Sequence, residues 1–395
     1  MLKKYFHIFL LFTLFSTHVK GQIIDYSTYN KGIELKSQGD YSNAILSFGT
    51  FLQQYPSEYP TAYFQRGKTH LLLQQYEQAI QDLEKVIQLD ATHKDAPYVL
   101  GKIFFQLKKY PEALKYLTVS IQLNPSHALS YNDRGLVKCQ MRRFDEALND
   151  FYQATQIDPT FAMAHNNAGA ARYFKQDIAK PTSKDLRKAK GWFTKAIQKD
   201  PSLALAYRNR GTMHILTHEN EKALLDLKKA QKLNTHDAMI VFYLGVVYAD
   251  QLKTQKAFDT FRQSLEMNPQ LTFAHEEMGN LYKETRQYDL AIYQYYQAQI
   301  VRPSTGDLYK GLLDYRSALV FAEQKNTNKM YESLEKAKER GAFNDQQLYR
   351  DFQKAKEFKP FRLDKPFKRF QKSLLKIKKN NKFLNPDLGW FRMRR

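Results

Sequence analysis

The chain has 395 residues, 43% hydrophobic and 26% charged, with a formal net charge of +21 and one cysteine. A single cysteine excludes an internal disulfide framework and a zinc site built on a cysteine pair, so stability must come from apolar packing. The charge points toward anionic partners, yet it is unevenly placed: residues 354–395 hold 15 Lys or Arg against Glu357, Asp364 and Asp387, and Lys3, Lys4 and Lys20 add three more at the other end, leaving residues 22–353 mildly basic at +6.

Residues 1–21 have the three-part form of a secretory signal peptide. Lys3 and Lys4 precede an apolar run from Tyr5 to Phe15, and Val19 and Gly21 stand three and one residues before a cleavage point at Gln22. The run is about 11 residues, short of the roughly 20 that a membrane-spanning helix needs; an uncleaved anchor is the alternative. No cysteine stands near the cleavage point to carry a lipid. The expectation is an exported chain, periplasmic, at the cell surface or secreted, and soluble once cleaved.

From about residue 25, glycine and alanine return at a fixed interval. Gly32, Gly67, Gly101, Gly135 and Gly169 are 34 or 35 residues apart, and Gly211, Gly245 and Gly279 continue at 34. Ala44, Ala79, Ala113, Ala147, Ala189, Ala223, Ala257 and Ala291 run in parallel, 12 residues after the glycine in seven of eight repeats. A period of this length specifies stacked helix-turn-helix repeats, none of which can bury its apolar face alone. Small residues let the two helices of a repeat cross closely. Phe48, Leu83, Leu117, Phe151, Phe193, Leu227, Phe261 and Tyr295 follow the alanines by four, share their helix face, and are expected to fill the core between repeats. Asn124-Pro125, Asp158-Pro159, Asp200-Pro201, Asn268-Pro269 and Arg302-Pro303 end the repeats, because proline cannot continue a helix. Gly39-Asp40-Tyr41 and Arg143-Phe144-Asp145 signal the turns inside them.

Tyr131, Gly135, Ala147, Phe151, Ala154 and Pro159 fall where the tetratricopeptide repeat (TPR) places its marker residues. The chain resembles that family over residues 22–305. The resemblance implies an all-α, right-handed superhelical solenoid of eight to nine repeats with a C-terminal cap.

One repeat is irregular. Between Gly169 and Ala189 lie eight extra residues, in an insertion near 175–190 that contains Pro181. Thr182 with Asp185 fits a capping box, which predicts an early start and extra length for the second helix. The insertion is either a projecting feature for a partner or a tolerated surface addition. Past 305 the pattern fades. Residues 306–340 form a degenerate repeat, with helices expected over 308–322 and 327–339 and no glycine at the usual place in the first. Residues 341–375, with Phe352, Phe358, Phe361, Phe367 and Phe370, resemble the closing segment of some bacterial members of the family and are expected to cap the last apolar face. Residues 376–395 form a basic tail: a solvated end, or an arm making weak contact with an anionic surface. It lacks a nucleic-acid motif, and a basic tail alone gives only salt-dependent, non-specific affinity; with export expected, no nucleic-acid partner is assigned.

No catalytic or ligand constellation emerges. The glycines are a repeat apart, so no phosphate loop exists, and His275-Glu276-Glu277 lacks a second histidine one turn on. His70, His93, His127, His165, His214, His218, His236 and His275 are scattered singly; His214 and His218, four apart, are a weak metal pair. Cys139 reads as a packed small residue. The expectation is a non-enzymatic chain without cofactor, catalytic residue or metal.

The resemblance assigns binding to the inner face, lined by the first helix of each repeat at the positions three before the glycine, one after it and four after it. Those positions supply a candidate groove of Tyr29, Phe64, Lys68, Tyr98, Lys102, Phe105, Asn132, Asn166, Tyr173, Arg208, Phe242, Glu276 and Asn280. Aromatic rings and amides suit a protein partner or an extended peptide. Some members clamp a C-terminal carboxylate with Lys three before a glycine and Asn one after it; here Glu276 and Asn280 come nearest, with the wrong charge, and the clamp is set aside. The expected function is a protein-interaction scaffold outside the cytoplasm, in envelope assembly or secretion by resemblance. The alternative is anionic-surface or polysaccharide binding through the basic tail, with the solenoid as spacer. The partner's identity and the oligomeric state are not fixed by the sequence.

Overall fold

The computed structural model describes residues 24–175, 182–301 and 307–380. The signal peptide, the centre of the insertion, the Arg302-Pro303 breaker and residues 381–395 of the basic tail lie outside the described residues. Within them all regular structure is helical, and the chain divides into two compact bodies that meet in sequence between Asp158 and Pro159. No helix among the described residues is long and apolar enough to cross a membrane.

The first body is four antiparallel helix pairs: α1 (Ser27–Ser37) with α2 (Tyr41–Gln54), α3 (Pro60–Leu72) with α4 (Tyr76–Leu89), α5 (Asp95–Gln106) with α6 (Tyr110–Leu123), and α7 (Ala128–Gln140) with α8 (Phe144–Ile157). Each turn inside a pair is closed by one left-handed residue. In the α3–α4 turn that residue is Gln74 (φ +57°). Its N–H bonds the Leu71 carbonyl at 3.0 Å and the Gln75 N–H bonds the His70 carbonyl at 2.9 Å, a pairing that satisfies the last carbonyls of α3. Lys108 and Arg142 repeat the conformation, while Gly39 serves in the α1–α2 turn. Between pairs, Asp90 and Asn124 leave the helix with extended ψ, and the Asp90 carboxylate accepts the Thr92 N–H at 2.9 Å. Asp and Asn are suited to this because they bond their own backbone two residues on.

The glycine ladder has a more local role than close crossing of bare helices. A Cβ on Gly135 would lie 2.7 Å from Phe151 Cε1, and one on Gly245 would lie 2.6 Å from Phe261 Cε1. The large residue four after the alanine therefore fills the slot left by the glycine of its own repeat, instead of lying only between repeats. It is fully buried there, as are the alanines.

Alternate repeats add an ion pair to this interior. Arg66 meets Asp82, Arg134 meets Asp150 and, in the second body, Arg210 meets Asp226, each through two parallel N–H···O bonds of 2.7–2.9 Å. Each arginine stands one residue before the ladder glycine and lies over the ring three residues earlier: Tyr63, Tyr131 and Tyr207. A buried carboxylate needs such pairing.

The second body continues with α9 (Ala162–Lys175) and α10 (Ser183–Lys199), α11 (Ala204–Leu216) and α12 (Asn220–Leu233), α13 (Ala238–Asp250) and α14 (Thr254–Met267), α15 (Thr272–Glu284) and α16 (Tyr288–Val301), and α17 (Asp307–Glu323) and α18 (Thr327–Glu339). Thr182 caps α10, its hydroxyl accepting the Asp185 N–H at 3.2 Å, and α10 has 17 residues where the other second helices have 13 or 14. Beyond α18 come a 3-10 turn (Ala342–Asn344), α19 (Gln346–Lys354), a second 3-10 stretch (Lys356–Phe361) and α20 (Lys365–Asn380). Phe343, Phe352, Phe358, Phe361, Phe367 and Phe370 form one buried cluster with Leu312, Tyr315, Met330 and Leu334 of α17 and α18. Helix α20 runs through residue 375 to Asn380, so the first residues assigned to a separate tail continue the helix that carries Phe367 and Phe370.

Candidate functional site

The groove positions lie on the first helices, and the two bodies differ in what they offer there. In the first body, Tyr29 is half-buried against Phe48 and Phe51, with ring centroids 5.7 and 5.5 Å away. Phe64 lies 4.7 Å from the His93 ring and Tyr98 lies 4.8 Å from the His127 ring, so a loop histidine of the following repeat braces each aromatic. The exposed Lys68 ammonium sits 5.2 Å over Phe64 and that of Lys102 sits 5.5 Å over Tyr98. The pairing has a sequence origin: ring and lysine are four residues apart and so share one helix face. The Tyr98 hydroxyl donates to Asp133 Oδ2 at 3.0 Å, and burial together with that carboxylate pushes its pKa well above the ordinary phenol range.

Of these, Lys68, Tyr98 and Lys102 line a cavity of about 830 Å³ with Lys36, Leu71, Tyr76, Ile103, Phe105 and Asp133, and the predicted Tyr29 and Phe64 stand outside its lining. Lys36 donates to Gln65 Oε1 at 2.9 Å; burial, then the neighbouring Lys68 charge, lowers its pKa. Asn132 is buried beside the cavity and donates to Asp133 Oδ1 at 2.9 Å. The structure thus assigns Asn132 to holding Asp133, in place of the predicted direct contact.

In the second body most predicted positions are occupied from within. Phe242 is fully buried among Tyr243, Phe261 and Phe273; α13 is apolar on nearly all its faces, so its groove-side ring belongs to the core. Asn166 is buried and accepts from Asn209 at 2.9 Å, and Tyr173 is buried beside Phe174. Glu276, 1% exposed, is held by Arg316 at 2.7 Å and by the Tyr309 hydroxyl at 2.9 Å. These four are corrected from partner contacts to internal ones, because a side chain buried to this degree has almost no surface left to present. Arg208 is partly exposed but paired with Asp237 at 2.6 Å. Asn280 accepts from the Tyr295 hydroxyl at 3.0 Å and from Arg316, and lines a second cavity of about 510 Å³ with Glu277, Lys283, Glu284 and Leu319. Lys283 there meets Glu357 at 2.8 Å and Glu323 at 3.2 Å.

Sequence reasoning missed Asp133 as a cavity-lining group, and missed Arg316, which comes from the degenerate repeat. Lys36 stands at a groove position, four after Gly32, and the structure places it in the cavity lining. Cys139 is half-buried and its thiol is pushed up to about 12 by that burial, which keeps it protonated at neutral pH. His214 faces Glu219 at 3.4 Å and Asp226 at 3.8 Å.

Residues 37–120 match the family model described as anaphase-promoting complex, cyclosome, subunit 3. Among solved structures, a tetratricopeptide repeat protein from Parabacteroides merdae ATCC 43184 aligns with a TM-score of 0.50 and 15% identity, over 61% of this chain and 92% of that one. PilF of Pseudomonas aeruginosa aligns with a TM-score of 0.45 and 21% identity, over 60% of this chain and 97% of its own. A MamA protein aligns with a TM-score of 0.39 and 29% identity, over 44% and 96%. The first of these carries the fold. No curated protein matches the chain.

Proposed function

This chain is a tetratricopeptide-repeat protein, and we propose that it is a non-enzymatic scaffold that receives a protein or extended peptide on the inner face of its first body. The observation that carries the reading is the cavity between the first helices, where Tyr98 and Phe105 are held at half burial and Lys68 and Lys102 stand exposed. Rings supply contact area at low entropic cost, and fixed polar groups supply direction. Partner capture tests it: Tyr98→Ala with Phe105→Ala abolishes capture and keeps the helical circular dichroism. Unchanged capture by that variant refutes the face, and turnover of an ester, amide or phosphoester by the purified chain refutes the non-enzymatic reading.

The proposal places the scaffold outside the cytoplasm, serving envelope assembly or secretion. The charged, apolar and small-residue sequence of residues 1–21 supports export. Intact mass of the protein from the exported fraction tests this, and a chain beginning at Gln22 is the expected result. A second reading is binding to an anionic surface or polysaccharide through the C-terminus, supported by the excess of lysine and arginine after residue 354. Deleting residues 381–395 separates the two: the scaffold reading expects capture to survive at physiological salt.

A further inference from the structure

We propose that the first-body cavity takes an acidic peptide segment; this rests on the scaffold reading and names its partner's chemistry. The argument starts from lysines without counter-ions. Elsewhere, several buried or partly buried lysines on the repeats have a carboxylate partner: Lys138 with Asp150 at 2.7 Å, Lys190 with Glu219, Lys283 with Glu357 at 2.8 Å. Lys36, Lys68 and Lys102 converge on one cavity, yet among the described residues none has a carboxylate within ion-pair distance. Their like charges already interact, because Lys68 is one of the groups that makes the Lys36 ammonium easier to deprotonate. An arriving anion relieves that repulsion without breaking an existing ion pair.

The ammoniums are also preorganised. Lys68 rests over Phe64 and Lys102 over Tyr98, and those rings are braced by His93 and His127. A cation held over a ring face keeps its other side free for a carboxylate, and the entropic cost of fixing the lysine is reduced before binding.

The lysines come from three successive first helices, one per repeat. The remaining lining favours a peptide over a uniform polyanion: Leu71, Ile103 and Phe105 offer apolar surface between the charges, and Asp133 closes one end with a negative charge. Asp133 is fixed by Tyr98 and Asn132, so it marks where the acidic run of the ligand stops.

The test is fluorescence anisotropy on the full chain with a labelled nonapeptide carrying Glu at its first, fourth and seventh positions and Leu or Pro between. The expected results are saturable binding that weakens with salt and at least tenfold loss when the three Glu become Gln. Lys68→Ala and Lys102→Ala should each weaken binding several-fold, and the double variant Lys68→Glu with Lys102→Glu should abolish it. Lys115→Ala is the control, since Lys115 lies over Tyr116 on a second helix outside the cavity, and should change nothing. Equal affinity for the Gln peptide, indifference to the double variant, or no binding of the acidic peptide at millimolar concentration would overturn the proposal. Binding of heparin or polyphosphate in preference to the peptide, insensitive to Phe105→Ala, would overturn it in favour of a polyanion site. A neutral peptide that binds and is lost with Phe105→Ala would overturn the acidic ligand and leave the scaffold reading standing.

Discussion

Replacing Gly135 by alanine tests the interior logic of the repeat, and Gly191 supplies its control. Both glycines lie within helices, so both substitutions gain the same helix propensity, about 1 kcal/mol. At Gly191 an added Cβ meets nothing within 4 Å, and Gly191→Ala should stabilise by about that amount. At Gly135 the added carbon would stand 2.7, 2.9 and 3.0 Å from three atoms of the Phe151 ring, well inside the roughly 3.5–4.0 Å of carbon–carbon contact. Phe151 is fully buried and cannot swing into solvent, so the helices must part or the ring must leave its rotamer, at about 1–3 kcal/mol. Propensity cancels in the comparison, and the gap between the two variants is the clash itself, about 1–3 kcal/mol. Urea denaturation followed by circular dichroism measures the gap, and amide hydrogen exchange localises the loss to α7 and α8. Gly135→Ala combined with Phe151→Ala should close part of the gap, since the smaller side chain frees the slot. If Gly135→Ala raises the midpoint as much as Gly191→Ala does, the glycine ladder does not exist to seat a ring.

Asp150→Ala should cost about 3–5 kcal/mol, because it leaves Arg134 and Lys138 facing each other at 10–17% side-chain exposure with no shared carboxylate; chemical denaturation reads it, and a loss under 1 kcal/mol contradicts the pairing. Leu252→Gly should stabilise the α13–α14 turn by up to about 1 kcal/mol, since a left-handed conformation (φ +58°) is costly for a branched side chain and free for glycine; a lower thermal midpoint contradicts it. Glu219 accepts hydrogen bonds from Lys190, Lys222 and Thr217, which hold its pKa far below the ordinary 4.5. A depressed folded-state pKa contributes stability that is present above 4.5 and lost as pH falls below it. Glu219→Gln should therefore flatten the acid limb of the stability profile, and an unchanged limb contradicts the assignment.

The repeat was legible because it is written eight times: the glycine–alanine period, the Asn/Asp-Pro stops and the Thr182 cap each have one physical cause acting locally. What escaped were features that need both helices of a repeat, or two repeats, at once. Gln74, Lys108 and Arg142 take left-handed turns without glycine, because the surrounding helices impose the conformation. The Arg134–Asp150 pair joins residues 16 apart that only the folded hairpin brings together. At the candidate site, Phe64, Tyr98, Lys68 and Lys102 could be placed from repeat position alone. Phe242 could not, since a groove position on a helix apolar around most of its surface is drawn into the core. Glu276 could not either, because its partners Tyr309 and Arg316 come from the degenerate repeat, where the period gives no address.

The central claim is that the inner face of the first body meets the partner. Site-specific photo-crosslinking tests it most directly, with a benzophenone side chain placed at Phe105, which lines the cavity, or at Tyr152, which is 50% exposed on the second helix α8. The account predicts a partner adduct from position 105, competed away by excess acidic peptide, and none from position 152. An adduct from position 152 with none from position 105 would contradict it.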